Sequence, residues 1–178
     1  QYKMGNTDKF KELMEEATQK DPENPELQYN LGVIAYETGD KESAKKYYQR
    51  AIDLDPNYIN AEINMAALIL DEEEAVINEM NSLGNSAADN KRYDELKNKR
   101  QEIYESAIPY LENAIKAQPD NLQAAKTLMN IYLSSKGAEQ RTARNVLADY
   151  AANGKERREA VKQMHEAYKN ASVEEKVN

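Results

Sequence analysis

Apolar positions recur along the chain at intervals of three and four, and proline and glycine cut that pattern into short helical units. Asn24 and Pro25 open one of them, with Leu27, Leu31, Ile34 and Ala35 on a single helical face. An Asn side chain accepts from the free N–H groups of a helix start, and Pro suits the first turn because no donor is needed there. Gly39 tolerates the left-handed backbone that ends a helix, and Asp40 can cap the next. Ala44, Tyr47, Tyr48, Ala51 and Ile52 form the second apolar stripe. Asp55-Pro56 stops it, because the residue before proline is pushed out of the helical region. The unit predicts a helical hairpin.

The pattern repeats. Ala17, Asp21 and Pro22 return as Ala51, Asp55 and Pro56 after 34 residues. Asn30, Leu31 and Tyr36 map in the same phase onto Asn64, Met65 and Leu70. Ala51 and Pro56 recur as Ala114 and Pro119 after 63 residues, 29 more than the 34-residue period, so the second unit carries an insertion of that size. Ile69, Leu70, Ala75, Val76, Met80 and Leu83 extend the apolar stripe of its first helix. Tyr93, Leu96, Ile103, Tyr104, Ala107, Leu111 and Ala114 line its second. Residues 84–90 between them read as a flexible turn, which predicts two elongated antiparallel helices over 59–82 and 90–117. At ~1.5 Å per residue they would project roughly 15–20 Å beyond their neighbours. Pro109 predicts a kink in the second.

Residues 25–58 resemble a tetratricopeptide repeat through Leu31-Gly32, Tyr36 beside the small Ala35, Gly39-Asp40, Ala44, Tyr48, Ala51 and Pro56, with Gln28 in place of the usual Trp. The resemblance implies an all-α fold: a right-handed α-solenoid of helical hairpins, one with elongated helices, closed by a C-terminal capping helix. A single solenoid over 1–170 then divides into a half repeat at 1–22, a repeat at 25–58 and an expanded repeat at 59–121. A degenerate repeat at 122–152, a capping helix at 155–170 and a tail at 171–178 follow. The chain opens at Gln1 inside a repeat, the pattern expected of a trimmed or processed chain. Residues 107–114 resemble the version of the repeat common in exported bacterial proteins, which leans toward an envelope location over the cytoplasm.

In this family the first helix of each hairpin lines a concave groove. By resemblance that face carries Glu26, Tyr29, Asn30, Val33 and Glu37, then Asn60, Ile63, Asn64, Ala67 and Asp71, then Gln123, Lys126, Thr127, Asn130 and Ser134. Asn30 and Asn64 are expected to stack, either offering amides to an extended peptide or pairing with neighbouring helices. Some members grip a chaperone's terminal carboxylate with Lys and Asn at set positions. Here Tyr29 and Val33 occupy two of those places, so no such clamp is expected.

Composition narrows the function. A net charge of -8 and a pI near 4.9 argue against a binder that tracks nucleic-acid phosphates or an anionic membrane. Lys45-Lys46 and Arg157-Arg158 are too short to reverse this, and partners are expected to be neutral or basic. There is no Cys, hence no disulfide framework, thiolate metal site or Cys nucleophile. His165 is the one His, too few for a triad or a multi-His site. Asp71-Glu72-Glu73-Glu74 would fan around a helix and cannot converge on one ion. Asn170-Ala171-Ser172 matches a glycosylation acceptor. The Met65–Leu70 run is far too short to insert in a membrane.

The reading is a scaffold without catalysis, cofactor or metal that binds protein or peptide in its groove. The alternative is an assembly module that docks through the protruding helices, self-association included.

Overall fold

The computed structural model describes residues 9, 12–14, 16–118 and 121–134, and the secondary-structure elements among them are all helical. They are α1 (Pro25–Glu37), α2 (Lys41–Leu54), α3 (Ile59–Leu70), α4 (Glu72–Ser82), α5 (Ala87–Ala117) and α6 (Leu122–Ser134), preceded by a helical stretch at 16–20. The readings of residues 135–152, the capping helix at 155–170, the tail, Arg157-Arg158, His165 and Asn170 lie outside the described residues.

One backbone turn is built three times. The N–H groups of Asp21, Asp55 and Gln118 each bond at 2.9 Å to the carbonyls of Ala17, Ala51 and Ala114. Asn24, Tyr58 and Asn121 then bond back to Asp21, Asp55 and Gln118 as the next helix starts. Asn24 Oδ1 caps that helix by accepting from the N–H groups of Glu26 and Leu27, and Asn121 Oδ1 accepts from Ala124 N. Tyr58 has no such oxygen, and Asp55 Oδ1 takes the N–H of Asn57 instead. Within the first hairpin Gly39 adopts φ 83°, and Asp40 Oδ1 accepts from Ser43 N at 3.0 Å.

The helices pack mainly as α1 on α2 and α3 on α5, with α2–α3 and α5–α6 contacts joining successive pairs. Close approach of α1 to α2 requires Gly32: a Cβ there would lie 2.5 Å from Cδ1 of the fully buried Tyr48 ring. Ala44, Ala51, Ala107 and Ala114 are likewise fully buried, their small side chains letting helices touch. One apolar cluster runs from Ala35 and Tyr48 through Met65, Ile69, Leu96 and Leu111 to Leu128 and Ile131. Burying each of Met65, Leu96, Leu111 and Leu128 contributes about 1.5–3 kcal/mol.

The structure corrects several expectations. The helix expected over 59–82 is interrupted at Asp71. Asp71 accepts a hydrogen bond from the Tyr36 hydroxyl and faces the Lys41 ammonium, while Glu72, Glu73 and Glu74 supply the negative charge that favours a fresh helix start. The following helix begins at Ala87 rather than 90, because Ser86 and Asp89 form a reciprocal capping box. Pro109 lies inside this helix, which continues to Ala117. Ala35 is buried, as its place on the apolar face predicts, and Tyr36 beside it is 39% exposed. Tyr93 and Ala75, expected on the insertion's apolar stripes, are exposed.

Candidate docking face

Two hydrogen bonds join α1 to α3, and both link residues 35 apart. Asn64 Nδ2 donates to the Tyr29 hydroxyl at 3.3 Å, and the Tyr36 hydroxyl donates to Asp71 Oδ2 at 2.6 Å. The two helices therefore lie side by side in one register, presenting a face made from both. Asn64 Nδ2 also reaches the Tyr48 hydroxyl at 3.5 Å. The Tyr29 ring lies 6.0 Å from that of Tyr48 and 5.3 Å from that of Tyr58, both tilted. Lys41 Nζ stands 3.3 Å from Asp71.

Burial pushes the Tyr48 hydroxyl up to about 12, against the opposing pull of the Asn64 hydrogen bond. Tyr36 is raised by its bond to Asp71, then by burial. Tyr58 is raised by burial, then by the charge of Glu26. All three stay neutral across the physiological range, so the face offers hydroxyls and carboxylates.

The groove residues expected from the sequence divide into three groups. Glu26, Glu37, Asn60 and Ala67 are exposed, while Tyr29, Asn30, Val33, Asn64 and Asp71 are half-buried, all on α1 and α3 or at the end of α3. Ile63 is buried and belongs to the core instead, since α5 packs on α3. On α6, Gln123, Lys126, Asn130 and Ser134 are exposed and Thr127 is half-buried. Among the described residues, no hydrogen bond or ion pair ties Lys126, Thr127 or Asn130 to the α1–α3 set. The Asn64 amide nitrogen is engaged by the two tyrosine hydroxyls. Tyr36, absent from the groove residues expected from the sequence, joins the face through its bond to Asp71. Its place one residue after the buried Ala35, with Glu37 following, was the available signal.

A second concavity of about 590 Å³ opens between α2 and α5, lined by Lys45, Glu72, Lys99, Ser106, Pro109 and Tyr110 among others. Its charges are mixed. The acidic run at 71–74 diverges: Asp71 turns to Tyr36 and Lys41, Glu72 to this cleft, and Glu73 to Arg100 and Tyr104. No described helix is long and apolar enough to cross a membrane.

Residues 25–58 match the tetratricopeptide repeat family. Over 103 residues the chain is 27% identical to the Photosystem I assembly protein Ycf3 of Rippkaea orientalis, an alignment covering 58% of this chain and 51% of that protein. The chain thus spans about half the length of this curated relative. The match at 25–58 coincides with the hairpin α1–α2, whose closing turn recurs at the end of α5. On that hairpin, and on the helical pairs stacked beside it, the chain is similar to tetratricopeptide-repeat proteins.

Proposed function

We propose that this chain is a non-catalytic scaffold that binds protein or peptide on the α1–α3 face. The observation that carries the reading is the side-chain register across that face. Tyr29–Asn64 and Tyr36–Asp71 lock two helices together while leaving Glu26, Glu37, Asn60 and Ala67 exposed beside half-buried tyrosine rings. A rigid face loses little freedom on binding, and tyrosine combines apolar area with a polar tip. The likeness to a protein named for assembly agrees with a role in holding polypeptides.

Asn64 and Tyr29 also hold the helices together, so substituting them tests folding as much as binding. Ala67 is exposed and lies between Asn60 and Asp71 along the face. Ala67→Arg should abolish capture of partner polypeptides while leaving the circular-dichroism melt within a few degrees of the parent. Undiminished capture would remove the α1–α3 face from consideration.

A second reading places the interface on the α4–α5 hairpin. Tyr93 favours it, as a large side chain 46% exposed on α5. Tyr93→Ser would then eliminate capture or self-association where Ala67→Arg does not.

A further inference from the structure

The α1–α3 face carries more negative charge than it neutralises. Asp71 already holds an ammonium, that of Lys41 at 3.3 Å, with the Tyr36 hydroxyl on the same carboxylate at 2.6 Å. Glu26 and Glu37 lie at opposite ends of α1, both exposed, and neither forms an ion pair among the described residues. Beside Glu26 sit the half-buried rings of Tyr29 and Tyr58, 5.3 Å apart and tilted by 45°. Glu26 is three residues before Tyr29 on the same helical face, and its charge reaches the Tyr58 hydroxyl. A ring face attracts a cation electrostatically, and a carboxylate beside it adds Coulomb attraction.

We infer that the face selects a cationic polypeptide segment, with a Lys or Arg side chain of the partner seated against Tyr29 and Tyr58 and neutralised by Glu26. Glu37 provides a second counter-charge further along. Eleven residues of helix separate the two carboxylates, ~16 Å at ~1.5 Å per residue, which an extended strand spans in about five residues. The fit is therefore to an extended segment with several basic residues, not to one isolated charge. This inference rests on the α1–α3 face being the docking surface.

The probe is a synthetic decapeptide alternating Lys and Val, compared with the same peptide acetylated on every Lys, by titration calorimetry with the full chain. Acetylation keeps the stem and removes the charge, and should weaken binding about tenfold or more. Glu26→Gln/Glu37→Gln should weaken the Lys peptide about tenfold, whereas Glu74→Gln/Glu105→Gln, with the same change in net charge, should have a much smaller effect. Tyr58→Leu should weaken it about threefold or more, and Tyr58→Phe should restore it, since the ring face is kept.

Equal losses in the two double-Gln variants would reduce the effect to overall charge and overturn the inference. So would equal affinity for the acetylated peptide. If the acetylated peptide binds equally well and Ala67→Arg blocks both peptides, the docking face stands and only the preference for cations fails. If Ala67→Arg and Glu26→Gln/Glu37→Gln both leave binding of the Lys peptide unchanged, the face itself is wrong.

Discussion

Glu62 on α3 is 1% exposed, and its two carboxylate oxygens are treated differently. Asn113 Nδ2 donates to Oε1 at 3.3 Å, while Oε2 has no partner among the described residues. Burial pushes this carboxyl above its ordinary 4.5, and the Asn113 hydrogen bond pulls weakly the other way. The folded chain thus binds this proton more tightly than the unfolded chain. The stability linked to Glu62 is gained as pH falls toward 4.5 and lost as pH rises through the raised value. Glu62→Gln removes the charge at nearly constant shape. Thermal melts between pH 4.5 and 8 should show the variant more stable than the parent near neutrality, by about 1–2 kcal/mol, with the difference closing at the acid end. A constant difference across that range would mean that Glu62 does not titrate differently in the fold. Asp89 and Glu79, both lowered, act in the opposite sense only at more acid pH. None of this was legible in the residue string. Glu62 stands two residues after Asn60 in a polar-looking helix start, and its burial comes from α5, which supplies Asn113 from 51 positions away.

Helices were more legible than single contacts. The caps at Asn24 and Asp40, the left-handed Gly39 and the stop before Pro56 are short-range effects, and each appears where local chemistry puts it. The insertion was read as helical from its apolar period, and α4 and α5 bear that out, but their boundaries moved. Asp71 breaks the first element because residues on α1 and at the start of α2 reach it, which no window around 71 contains. In α5, Pro109 is exposed on the surface of a helix that continues beyond it. Its ring crowds the carbonyl of Glu105, which also lacks the usual donor four residues on. Pro109→Ala should therefore stabilise the chain by about 1–3 kcal/mol, read as a higher melting temperature and slower amide exchange around 103–113. An unchanged or lower melting temperature would indicate that the proline ring contributes packing against the α2–α5 cleft that offsets the lost hydrogen bond.

For the molecule as a whole, stability follows from stacking, since each hairpin covers the apolar edge of the next. The α4–α5 arm is a partial exception. Val76 and Leu96 are buried, and Arg100 binds Glu73 at 2.7 Å, so the arm closes largely on itself. That same contact brings the two helices of the arm together at its base, and a short Gly linker can replace residues 72–99. The shortened chain should keep its helical signal and its affinity for a partner held on α1–α3, at some cost in melting temperature. Light scattering should give it the same mass as the parent chain if the arm does not mediate self-association. A lower mass for the shortened chain would favour assembly through the arm.

Periodicity and punctuation alone predicted helical hairpins along the chain, and the described residues are helical, with a match to the tetratricopeptide repeat at 25–58. Helix starts, stops and apolar faces depend on neighbours within about four positions, which a linear string displays. Only packing decided that Asn64 is held by two tyrosines, that Ile63 and Glu62 are covered, and that Asp71 divides a helix. Those outcomes depend on side chains brought together from 16 to 51 positions apart, and on how closely Gly32 lets two helices approach.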